Sequence, residues 1–102
     1  MYYDKNGKSL EVMEWAKKLE DFDYKCVKKD ILKNGIVVST VWLGLDHNII
    51  EQGSPLIFET MVFPKEGESS ELDVDRYSTE EEALNGHQKM IDKFKESNER
   101  KD

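Results

Sequence analysis

The chain has 102 residues and a formal net charge of −7, a size that suits one domain and a field that disfavours nonspecific binding to nucleic acid or an anionic membrane. Two tryptophans, four tyrosines and four phenylalanines supply buriable surface that disordered chains lack, and the single cysteine excludes an internal disulfide or a multi-cysteine zinc site. With no apolar run near 18 residues and no signal-peptide layout in Met1-Tyr2-Tyr3-Asp4-Lys5, the expectation is a soluble, cytosolic protein without a membrane partner.

In chain order, Tyr2-Tyr3 reads as a short strand and Asp4-Lys5-Asn6-Gly7 as a turn. Ser9 to Asp21 is the first predicted helix, capped by Ser9, with Val12, Trp15, Ala16 and Leu19 as its apolar stripe. Tyr24 to Lys33 and Ile36 to Leu45 flank Asn34-Gly35, the dipeptide favoured by a two-residue type I′ hairpin turn. The second arm is β-branched and aromatic on both faces, the mark of a central strand or of one facing a partner. Leu56 to Phe63 is a further strand ended by Pro64, and Lys65 to Leu72 a flexible acidic loop. Val74 to Ser78 adds an edge strand. A last helix begins at Ser78 or Thr79, with Glu80, Glu81 and Glu82 in its first turn and Leu84, His87, Ile91 and Phe94 as its buried stripe. Gly86 inside that helix points to a close approach of another backbone.

The fold expected is α+β: an antiparallel sheet of three or four strands with an N-terminal and a C-terminal amphipathic helix, most simply on one face. The domain spans residues 1–97, with 98–102 a frayed tail. Large side chains on the uncovered face favour a homo-oligomer.

Chemistry-bearing residues are few. Asp46 and His47 follow a strand, His87 lies on an apolar helix stripe, and Glu59 stands mid-strand among apolar neighbours, where a carboxylate needs a partner such as Arg76 or His87. Asp46, His47, Glu59 and His87 make up the smallest donor set for a divalent metal and metal-assisted hydrolysis, although no H-x-H or H-E-x-x-H spacing enforces it. Arg76 and Tyr77, just before a helix start, bring a guanidinium and a phenol near free backbone N–H groups. Trp42 offers a stacking surface if it lies on an uncovered sheet face. Cys26 reads as a packing residue, and no glycine loop of the phosphate-cradling type is present.

Three stretches carry a resemblance: Val38-Ser39-Thr40-Val41-Trp42-Leu43-Gly44-Leu45-Asp46-His47, Pro55-Leu56-Ile57-Phe58-Glu59-Thr60-Met61-Val62-Phe63, and Asp75-Arg76-Tyr77-Ser78-Thr79-Glu80-Glu81-Glu82-Ala83-Leu84-Asn85-Gly86-His87. Together they resemble a family of short uncharacterised bacteriophage and prophage proteins, over about residues 36–90. The resemblance implies a phage setting, in the cytoplasm of a bacterial host, rather than a particular reaction.

Small acidic phage proteins without catalytic motifs act mostly by binding. The function expected is therefore counter-defence without a cofactor, by sequestering a nucleotide-derived immune signal or by inhibiting a host defence protein. In the first case Arg76 would pair with phosphate, Trp42 or Tyr77 would stack on a base, and Asp46 or Glu59 would accept from ribose or base groups, with His47 and His87 close by. A small metal-dependent hydrolase and a structural interaction protein are the alternatives.

Overall fold

The computed structural model describes residues 1–46 and 54–95; the expected tail at 98–102 and His47 lie outside them. Tyr2–Tyr3 (β1) and Ser9–Leu10 (β2) form a small antiparallel ribbon. Its turn is held by Asp4, whose Oδ1 accepts from the backbone N–H of Asn6 and of Lys8 at 2.9 Å. Ser9 is thus a strand residue rather than a helix cap. The first helix, Val12–Glu20 (α1), starts two residues later than a Ser9 cap would set it and where its apolar period begins, with Glu11 as N-cap and the Glu14 carboxylate accepting from Glu11 N–H. Of the expected stripe, Trp15 and Leu19 reach the core while Val12 is half exposed.

Asp21 then caps a one-turn helix, Phe22–Lys25 (α2), by accepting from Tyr24 N–H at 3.3 Å, which delays the first long strand to Cys26–Ile31 (β3). Val37–Trp42 (β4), Phe58–Phe63 (β5) and Asp73–Tyr77 (β6) follow, and the four strands form an antiparallel meander in chain order, β3-β4-β5-β6. Thr79 caps the last helix, Glu80–Phe94 (α3), in a capping box with Glu82. The architecture is α+β, as the periodicities indicate. Among the described residues no helix is long and apolar enough to cross a membrane.

The β3–β4 turn differs from expectation in one residue. Gly35 N–H donates to Leu32 C=O at 2.9 Å, and Leu32 N–H donates to Ile36 C=O at 2.8 Å. The loop is therefore three residues long, with Gly35 at φ +88° as the left-handed bulge residue. Its register pairs Ile31 with Val37 and Asp30 with Val38. A two-residue turn would slip the pairing by one and send Asp30 to the opposite face.

Val38, Thr40 and Trp42 of β4 and their cross-strand partners Val62, Thr60 and Phe58 of β5 are fully buried under the helices. At one end Trp42, Ile57, Phe58 and Ala83 form a cluster walled by Tyr3, Leu10, Trp15, Leu19 and Tyr24; at the other, Val38, Val62 and Met90 pack with Leu32, Ile36, Ile91 and Phe94. Both helices thus serve the same side of the sheet.

The buried face of α3 is Ala83, Gly86, His87 and Met90, with Leu84 largely exposed, so the helix is rotated from the expected stripe. Gly86 decides the rotation: a Cβ there would lie 2.1 Å from the Tyr77 hydroxyl oxygen and 2.2 Å from its Cζ. The close neighbour is an aromatic ring, not a backbone. Gly86→Ala should lower stability by about 1–3 kcal/mol in urea unfolding, through overpacking. In a Tyr77→Ala background the same change should be neutral or stabilising by up to about 1 kcal/mol, because only helix propensity is then left.

Candidate functional site

Between the two apolar clusters runs a chain of polar side chains to which every strand of the sheet contributes. Asp30 of β3 holds His87 Nε2 at 2.7 Å, His87 Nδ1 lies 2.6 Å from Thr40 Oγ1 of β4, and Thr40 Oγ1 lies 2.5 Å from Thr60 Oγ1 of β5. The Tyr77 phenol of β6 stands next in line, beside the side chains of Thr60 and Asp75. An ionised Asp30 only accepts, so Nε2–H points to it, and in the neutral ring Nδ1 accepts the Thr40 hydroxyl proton. Burial pushes the Tyr77 phenol above its ordinary value, and the neighbouring Asp75 charge adds to the shift.

Asp30, His87 and Thr40 have the order of a carboxylate–imidazole–hydroxyl relay. His87, Thr40 and Thr60 have no exposure, however, so no substrate carbonyl or phosphorus reaches the hydroxyl. The arrangement satisfies buried polar groups and ties α3 to β3 and β4. Asp30, Thr40 and Thr60 are absent from the sequence reading; the signal for them was two threonines amid apolar strand residues, which only the strand register brings side by side.

Glu59 and Arg76 face each other across β5 and β6, with Arg76 Nε donating to Glu59 Oε2 at 3.1 Å. They stand on the face away from the helices, because Val41, the partner of Glu59 on β4, alternates with the buried Thr40 and Trp42. This separates the expected site residues. Tyr77, next to Arg76, turns to the helix side, so guanidinium and phenol are on opposite faces. Glu59 and His87 are likewise on opposite faces and cannot share a metal ion, and among the described residues no three His, Cys, Asp or Glu side chains cluster for one.

Trp42 is completely buried, with Tyr24 edge-on at a centroid distance of 4.9 Å and its indole N–H donating to Tyr3 C=O at 3.0 Å; its ring offers no stacking surface to a ligand. Asp46 Oδ1 accepts from Leu56 N–H at 3.0 Å and pins the chain entering β5. Three N–H groups around the start of α3 are already taken. Glu82 Oε1 accepts from Ser78 and Thr79, and Thr79 Oγ1 accepts from Glu82 N–H.

The surface feature that remains is a groove of about 850 Å³ between β6 and α3. Its polar lining is Asp73, Asp75, Arg76, Tyr77 and Ser78 on the strand side and Glu82, Asn85, Lys89 and Lys93 on the helix side. Lys93 Nζ bonds Asp73 Oδ2 at 2.6 Å, which with Val74 N–H holds the Asp73 carboxyl below its ordinary value. Lys89 has no ion-pair or hydrogen-bond partner among the described residues.

No family model, no curated protein and no solved structure matches the chain.

Two outcomes are expected of the polar chain. Thr40→Val should cost about 1–3 kcal/mol in urea unfolding, since it strands His87 Nδ1 and Thr60 without adding a cavity. For Tyr77, the folded state holds the phenol proton more tightly than the unfolded chain, whose ordinary value is 10.0. The stabilisation is complete below that pH and is lost as pH rises through the folded value. Stability should therefore decline above about pH 10, and Tyr77→Phe should flatten part of that decline.

Proposed function

We propose that the protein acts by binding, as an accessory protein in a phage-infected bacterial cell, and that it sequesters a small nucleotide-derived signal in the groove between β6 and α3. The observation that carries this reading is the groove with Lys89 on its helix wall, which has no ion-pair or hydrogen-bond partner among the described residues. Lys89 supplies an ammonium for phosphate, Lys93 a second one in exchange with Asp73, Asn85 an amide for a base edge, and Tyr77 a phenol. Trp42 and Asp46 are assigned no ligand role, for each is engaged elsewhere, and neither are Glu59 and Arg76, whose side chains lie on the sheet face away from α3. The resemblance to phage proteins supports the setting, and the homo-oligomer expected from the sequence belongs to the same reading.

The reading is tested by thermal unfolding against linear and cyclic nucleotides and ADP-ribose derivatives. A ligand at 100 times its Kd adds about 2.7 kcal/mol, a shift on the order of 10 °C for a domain of this size. One class should produce it without turnover, and Lys89→Ala should weaken that ligand about tenfold or more, a loss of about 1.4 kcal/mol. A flat panel removes the nucleotide reading and transfers the function to a host defence protein as partner.

A further inference from the structure

The helices cover one side of the sheet only. Val37 and Val41 of β4, Met61 and Phe63 of β5 and Val74 of β6 share the other face with the Glu59–Arg76 pair; Val37 is buried, and the other four apolar side chains remain partly exposed. The pair itself is incomplete. Arg76 uses Nε alone, and its two terminal nitrogens make no bond among the described residues. The Glu59 side chain is 10% exposed and uses Oε2 alone, so among the described residues Oε1 has no donor, a costly state for a buried carboxylate.

We infer that this face is the interface of a homodimer, in which a second copy of the chain, related by a two-fold axis, lays its own Glu59–Arg76 pair antiparallel against this one. The argument is charge complementarity. A Glu–Arg pair beside a two-fold axis is complementary to itself and to few other surfaces. Each free Oε1 then receives a terminal nitrogen of the partner's Arg76, and the apolar residues around the pair close over it. A face four strands wide and about five residues long measures roughly 20 by 17 Å, so the pairing buries on the order of 700 Å² in total. That lies below the range of stable specific interfaces and fits only a weak, reversible dimer.

The sheet edges are unsuited to the alternative, lateral pairing. The outward N–H groups of β6 are taken by its own carboxylates, Val74 N–H by Asp73 Oδ1 at 2.8 Å and Arg76 N–H by Asp75 Oδ1 at 2.9 Å. The β3 edge carries Lys28 and Lys29, which blunt it in the usual way.

This deepens the oligomer part of the proposed function, and the test is made without ligand, so failure here leaves the groove reading standing and the converse also holds. Sedimentation equilibrium from about 5 to 500 μM should show a monomer–dimer equilibrium. Met61→Lys, with unchanged circular dichroism, should weaken association at least tenfold. Arg76→Glu should do the same, and the double swap Glu59→Arg/Arg76→Glu, which preserves self-complementarity, should regain dimer relative to Arg76→Glu. A monomer throughout that range, or a dimer that Met61→Lys leaves unchanged, overturns the inference.

Discussion

A completely buried imidazole has two ring nitrogens to satisfy, and the way His87 satisfies them constrains the rest of this molecule. One nitrogen takes Asp30 and the other Thr40, so the position of α3 is set relative to β3 and β4 at once. Thr60 extends the same chain to β5, and the Tyr77 phenol of β6 stands beside it. Apolar packing on either side is nondirectional and tolerates a range of helix placements. Hydrogen bonds inside a dry core do not, because a group left unpaired there costs more than the bond itself contributes. The notch at Gly86, which admits the Tyr77 ring, is part of the same fit.

The strict alternation of side chains along a strand has a second consequence, this time for function. Arg76 and Tyr77 are adjacent in sequence yet serve opposite sides of the sheet, and so do Glu59 and the helix that carries His87. The helix side is spent on the core and on the groove beside β6. The other side carries an ion pair with spare hydrogen-bonding capacity among partly exposed apolar residues. A protein of 102 residues has little surface to divide, and here the two faces present different chemistry: mixed carboxylate, cationic and amide groups in a groove, and a self-complementary pair on an apolar field.

Candidate site residues chosen from sequence are chosen because a polar side chain stands out among apolar neighbours. In this chain that signal marks buried structural groups more than accessible ones. Trp42 walls the core, Asp46 pins a loop, and Glu59 and His87 are held by one partner and by two. Lys89 and Lys93, which face the groove, are surface lysines on a charged helix and carry no such signal. Nothing in their spacing sets them apart from the other lysines until β6 is laid alongside.

The sequence by itself determined the class and nearly all the elements. The β-branched runs after Asn34-Gly35 and before Pro64, and the Thr79–Glu82 capping box, are local signals with local causes, so they survive into the structure. Its misses within the described residues are also local, such as the Asp21 cap that winds Phe22–Lys25 into a helix and the Glu11 cap that shortens α1. Only the tertiary structure decided which face of β3 meets the helix. A turn of two residues and one of three differ little in sequence preference, yet they place Asp30 on opposite faces. The reach of Asp30 to His87, and with it the whole buried chain, depends on that single residue of register. Contacts between elements far apart in sequence select it, and no local propensity encodes them.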